Sequence, residues 1–116
     1  MKEIAYIDRN FAEFIPNFIK DRKKDIADIR VLIGRGDLEG TIEILKMMRE
    51  TANTFGFKNL TAMSSHAVTV AKKNDHSGIG ELTDKMEKYL EHLKISYVDQ
   101  VEECEMDFYD SGTDML

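Results

Sequence analysis

The residues of this chain best suited to chemistry are four polar side chains in the segment 43–60. Lys46, Arg49, Glu50 and Asn53 are spaced by three, four and seven positions, so they share one face of an α-helix. Two cations beside a carboxylate and an amide can bind a carboxylate or phosphate group of a partner. The same four residues also fit an ordinary solvated helix face, because charged helix faces are common.

The helix that must position these side chains is indicated by its apolar residues. Leu45, Met48, Ala52 and Phe55 recur every three or four positions and form a stripe on the side that a core would cover. We expect this helix to run from about residue 38 to 54 and to end at Gly56, since glycine often adopts the left-handed conformation after a helix.

The segment resembles the second long helix of the histidine phosphotransfer (HPt) domains, whose signature is H-x-x-K-G-x-A-x-x-x-G-x-x-x-L. When it is laid on that pattern, Ala52, Gly56 and Leu60 match. Lys46 stands at the position of the phosphorylated histidine, Arg49 at that of the lysine, and Glu50 at that of the first glycine. The resemblance extends over roughly residues 11 to 98 and implies a degenerate member of the family.

In HPt domains, as the resemblance implies, an exposed imidazole takes a phosphoryl group from one aspartate and passes it to another on a response-regulator receiver domain. Lys46 carries an ammonium group without a free lone pair and cannot replace that nucleophile. Arg49 keeps the positive charge, whereas Glu50 adds a bulky anion where a receiver would approach. The resemblance therefore implies a non-catalytic module that docks a receiver domain or a histidine kinase through Lys46, Arg49, Glu50 and Asn53.

Two alternatives remain open at the level of the sequence. The first is an active phosphotransfer protein that uses a non-standard histidine: His66, expected at the edge of the core, or His92, expected on the surface of the last helix. The second is a helical module that acts by self-association, for example as a homodimer. Incubation with a phosphorylated receiver tests the first alternative by asking whether a histidine takes up phosphate. Light scattering tests the second, because it measures the oligomeric state.

The predicted fold is all-α: an antiparallel up-down-up-down four-helix bundle over residues 1–104, followed by an acidic tail over 105–116. A short helix is expected at 8–15 and long helices at 16–33, 38–54, 58–73 and 79–101, joined by short connections that favour antiparallel neighbours. Strands are not predicted, because alternation of apolar and polar residues is never sustained.

Composition narrows the functional classes further. Residues 1–98 hold 15 acids and 16 basic residues, whereas residues 99–116 hold seven acids and no lysine or arginine. A nearly neutral body offers no broad basic surface for nucleic acid. The single cysteine, the missing apolar spans and the scattered histidines predict a cytoplasmic protein without a membrane segment, metal site or cofactor.

Overall fold

The computed structural model describes residues 3–99, and it is mostly helical. Its elements in chain order are strand β1 (Glu3–Asp8), a 3-10 helix (Arg9–Phe14), helices α1 (Ile15–Gly34), α2 (Leu38–Phe55), α3 (Lys58–Lys72) and α4 (His76–His92), and strand β2 (Leu93–Val98). The three central helices predicted at 16–33, 38–54 and 58–73 are confirmed to within about one residue at each end.

Short polar side chains and one glycine set the helix ends. Asp37 caps α2 by accepting a hydrogen bond of 2.8 Å from the backbone N–H of Gly40, and Asp75 caps α4 in the same way through Gly78 at 2.9 Å. Gly56 follows α2 and has a φ of 93°, which is a left-handed conformation. Residues with a Cβ atom adopt this conformation only at a cost in free energy, so glycine is favoured there. These local signals fix where each connection falls.

The helices enclose one hydrophobic core. Helix α1 packs against α2 and α4, and α3 packs against the same two helices, so each helix has two neighbours. Residues with no exposed surface come from every layer of this arrangement, among them Ile29, Leu45, Met48, Leu60 and Met86. None of the helices in the described part of the chain is long and apolar enough to cross a membrane.

The prediction of an all-α chain is wrong at both ends of the described region. Strand β1 pairs in parallel with β2, with Glu3 opposite Leu93 and Asp8 opposite Val98. Ile7 and Ala5 turn into the core, whereas Ile4 and Tyr6 on the other face are each 54% exposed. A two-stranded sheet is marginal alone, so it is held here by packing one face on the helical body.

The last helix is therefore shorter than predicted, since it ends at His92 and the chain continues as a strand. Leu93 and Tyr97 fit a helical stripe in sequence, but in the structure they pack on the core from β2. The helix predicted at 8–15 is a 3-10 helix. The predicted tail, 105–116, and the domain boundary at residue 104 lie outside the described residues.

Polar contacts, buried between α1 and α2 and exposed between α1 and α4, join α1 to the helices beside it. Arg22, 9% exposed, donates to the Asp25 carboxylate at 2.7 Å and to the Thr51 hydroxyl of α2 at 2.9 Å. Burial raises the pKa of Asp25 above its ordinary value, although the charge of Arg22 opposes that effect. Arg30 bridges to Asp84 and Glu87 of α4 at 3.0 and 2.7 Å.

Candidate functional site

The predicted docking residues do lie together on the outer surface of α2. Lys46, Glu50 and Asn53 are exposed and Arg49 is half-buried. We call these four residues the α2 docking face. Behind it, the buried residues Leu45, Met48 and Ala52 are fully covered, so the helix that presents the face is held by close packing.

The charge of the α2 docking face is mixed. Among the described residues, no ion pair joins Lys46 to Glu50, although the two are one helical turn apart. Glu39 and Glu43 lie on the same side of α2 by helical spacing and are also exposed. A partner would therefore meet charges of both signs. Such a pattern favours binding in one orientation and gives little general electrostatic attraction.

The three residues that match the HPt signature have structural roles in this fold. Ala52 and Leu60 are fully buried, and Gly56 is the left-handed residue that ends α2. They explain how α2 and α3 are joined and packed. They carry no chemistry of their own, so the resemblance at these positions concerns the scaffold.

The two candidate histidines have different surroundings. His66 is exposed on α3 and is not at the edge of the core as expected. His92, at the end of α4, has its Nδ1 atom 3.0 Å from the carbonyl oxygen of Lys88. Because a carbonyl oxygen can only accept, this contact requires a proton on Nδ1, which leaves the Nε2 lone pair of the neutral ring free.

His92 also belongs to a groove between α3 and α4 that the sequence analysis missed. The buried Tyr89 and the half-buried Met63 form its floor. Its rim consists of exposed residues, Asn59 and Ala62 on α3 and Lys85, Lys88 and His92 on α4. We call this feature the α3–α4 groove; its volume is about 610 Å³. The spacing of its rim residues by three and four positions was a usable signal in the sequence.

Metal binding has no support in the described region. No group of three or more histidine, cysteine, aspartate or glutamate residues between positions 3 and 99 is arranged to hold an ion.

Comparisons with protein-family models, curated proteins and solved structures find no match to this chain.

Proposed function

We propose that this protein is an HPt-like docking module of two-component signalling, which binds a receiver domain or a histidine kinase without carrying phosphate. The observation that carries the proposal is the α2 docking face: Lys46, Arg49, Glu50 and Asn53 are displayed side by side on a helix with a fully buried back. Such a module works in the cytoplasm, where receivers and kinase catalytic domains act.

The topology proposed for the module is an antiparallel up-down-up-down bundle. Support comes from the connections, which are residues 35–37, 56–57 and 73–75. Connections this short favour antiparallel packing of successive helices. In that arrangement α2 has one long side open to a partner, because its other neighbours in the fold are α1 and α3.

Lys46 and Arg49 have the role of holding a partner's carboxylates in this proposal. Receiver domains present an acidic pocket at their phosphorylation site, as the family resemblance implies, and Arg49 can bind a carboxylate with both arms of its guanidinium group. Glu50 has the opposite effect, because it places a negative charge beside the same pocket. Docking is therefore selective for a partner with its own cation near that position.

The test is a binding measurement between the full chain and a panel of purified receiver domains and kinase cores from the source genome. We expect at least one partner, and a loss of affinity of about tenfold or more for Lys46→Glu/Arg49→Glu, because rim charges reversed in sign repel the acidic pocket. The matched control is Lys20→Glu/Lys24→Glu, which makes the same change of charge on exposed positions of α1.

Two results would contradict the proposal. One is that no receiver or kinase core in the panel binds the wild-type chain. The other is that the Lys46→Glu/Arg49→Glu and Lys20→Glu/Lys24→Glu variants lose affinity equally, since that would indicate a general charge effect.

A second candidate function, phosphotransfer through His92, is favoured by the hydrogen bond that fixes Nδ1. In that reaction Nε2 attacks the phosphorus of a receiver aspartyl phosphate, the P–O bond to the aspartate breaks, and the carboxylate leaves. Lys88 and Lys85 line the same groove and would neutralise the phosphoryl oxygens. Acid-labile label on the wild type that His92→Ala removes and His66→Ala retains would establish this function in place of simple docking.

A further inference from the structure

Lys85, Lys88 and His92 place positive or ionisable groups along the α3–α4 groove. Residues 58–73, which form α3 and its C-terminal cap, include no acidic residue. On α4 the three acids Asp84, Glu87 and Glu91 follow each other at helical spacing on the side that faces α1. The groove side of α4 has a single acid, Glu81, which lies one helical turn N-terminal to Lys85.

The complementary charge is in the chain itself. Residues 100–116 contain six acids and no lysine or arginine, and they include the adjacent aromatic residues Phe108 and Tyr109. The groove offers an apolar floor with a cationic rim, so it suits an acidic segment that inserts an aromatic side chain. We propose that the segment 100–116 binds in the α3–α4 groove of its own molecule.

The position at which this segment begins makes the contact possible within one molecule. β2 leaves the groove at His92 and runs for six residues, about 20 Å, to Val98. Residues 100–107 can span up to about 26 Å when extended, enough to return along that distance. This length of chain is sufficient for Phe108 and Tyr109 to reach the His92 end of the groove.

The α2 docking face is a poorer site for the same segment. The exposed side of α2 has three acids, Glu39, Glu43 and Glu50, against two basic residues, Lys46 and Arg49. An acidic segment would be repelled there and attracted by the α3–α4 groove. The two surfaces are therefore available for different contacts, one within the molecule and one with a partner.

The test uses Cys104, the single cysteine of the chain, as the attachment site of a nitroxide spin label. In the uniformly ¹⁵N-labelled full chain, we expect the label to accelerate relaxation of backbone amides at 59–63 and 85–92, measured against the reduced nitroxide. Raising the salt concentration from about 0.05 to 0.5 M should lower this enhancement by about threefold or more, because exposed charges are screened.

The matched variants are Lys85→Glu/Lys88→Glu, which should abolish the enhancement at 59–63 and 85–92, and Lys20→Glu/Lys24→Glu, which should retain it. All four substituted positions are exposed, so far-UV circular dichroism should be unchanged. An enhancement centred on 46–53 would overturn the proposal, as would one that salt does not reduce. Enhancement in a mixture of ¹⁵N-labelled Cys104→Ser protein with unlabelled, spin-labelled protein would also overturn it, because that contact is between molecules.

Discussion

Arg22 shows how a single residue can have a polar role inside an apolar interface. Its guanidinium group lies 5.1 Å from the centre of the Phe18 ring and donates to both Asp25 and Thr51. The bond to Thr51 joins α1 to α2, whereas Asp25 lies one turn from Arg22 on α1 and compensates its charge. Replacing Asp25 alone would leave the largely buried charge of Arg22 without that compensation.

The pH dependence of stability tests the ionisation of Asp25. Because burial raises its pKa in the folded state above the ordinary value of 3.8, the folded state binds the proton more tightly than the unfolded chain. Ionised Asp25 therefore lowers the free energy of unfolding at neutral pH, and protonation restores it as the pH falls through the raised pKa towards 3.8. The free energy of unfolding of the wild type, measured relative to Asp25→Asn in urea titrations, should therefore rise as the pH is lowered from 7 to about 4.

The control for this experiment is Glu81→Gln, at an exposed position of α4. Measuring this variant over the same pH range separates the effect of the half-buried Asp25 carboxylate from that of an exposed one. A difference between the wild type and Asp25→Asn that is constant with pH would show that Asp25 titrates alike in the folded and unfolded chains.

At the scale of the elements, the helices were predictable because their signals are local. The apolar stripes, the caps Asp37 and Asp75, and the stop at Gly56 all act within a few residues of the helix that they define. The α2 docking face followed from the same periodicity, and its four residues do share one exposed surface. The α3–α4 groove did not follow, because its floor combines residues of two helices and only packing reveals the space between them.

The left-handed backbone at Gly56, which ends α2, can be tested by substitution. Gly56→Ala should lower the free energy of unfolding by about 1 kcal/mol, because its φ of 93° is left-handed and disfavours a Cβ atom. Steric room is not the cause, since a Cβ atom there would meet only the Ile7 side chain at 3.9 Å. Chemical denaturation of the purified variant measures the change.

Gly34→Ala is the matched control for Gly56. Gly34 is the last residue of α1, has no positive φ, and has no atom within 4 Å of where a Cβ would lie. Alanine there should leave stability unchanged or raise it slightly, since alanine restricts the unfolded chain. Equal losses in the two variants would show that the backbone conformation of Gly56 is not what requires glycine.

At the scale of the whole molecule, the feature that the sequence analysis missed is the pairing of the two ends. Residues 93–97 alternate between apolar and polar, but Leu93 and Tyr97 also continue the spacing of α4, and a helix was predicted on that basis. The strand is decided by β1, its partner some 90 positions away in the chain. A local pattern holds no information about such a partner, so tertiary packing decided between the two structures.

The contribution of the sheet to stability can be measured at neighbouring positions of β1. Ile7→Ala should lower the free energy of unfolding by about 2–4 kcal/mol, because it removes a fully buried side chain from the core. Ile4→Ala, on the outer face and 54% exposed, should change it by less than about 0.5 kcal/mol. Equal effects in thermal or urea unfolding would contradict the parallel register in which Ile7 faces inward.

The parallel pairing of β1 and β2 also determines how the molecule responds to a pulling force. The described chain starts at the Glu3 end of β1 and leaves at the Val98 end of β2, and these ends lie at opposite ends of the sheet. Force applied through the two termini therefore slides the strands along each other and loads all their hydrogen bonds together. The helices lie between the strands in sequence, so they are shielded from tension until the sheet has sheared.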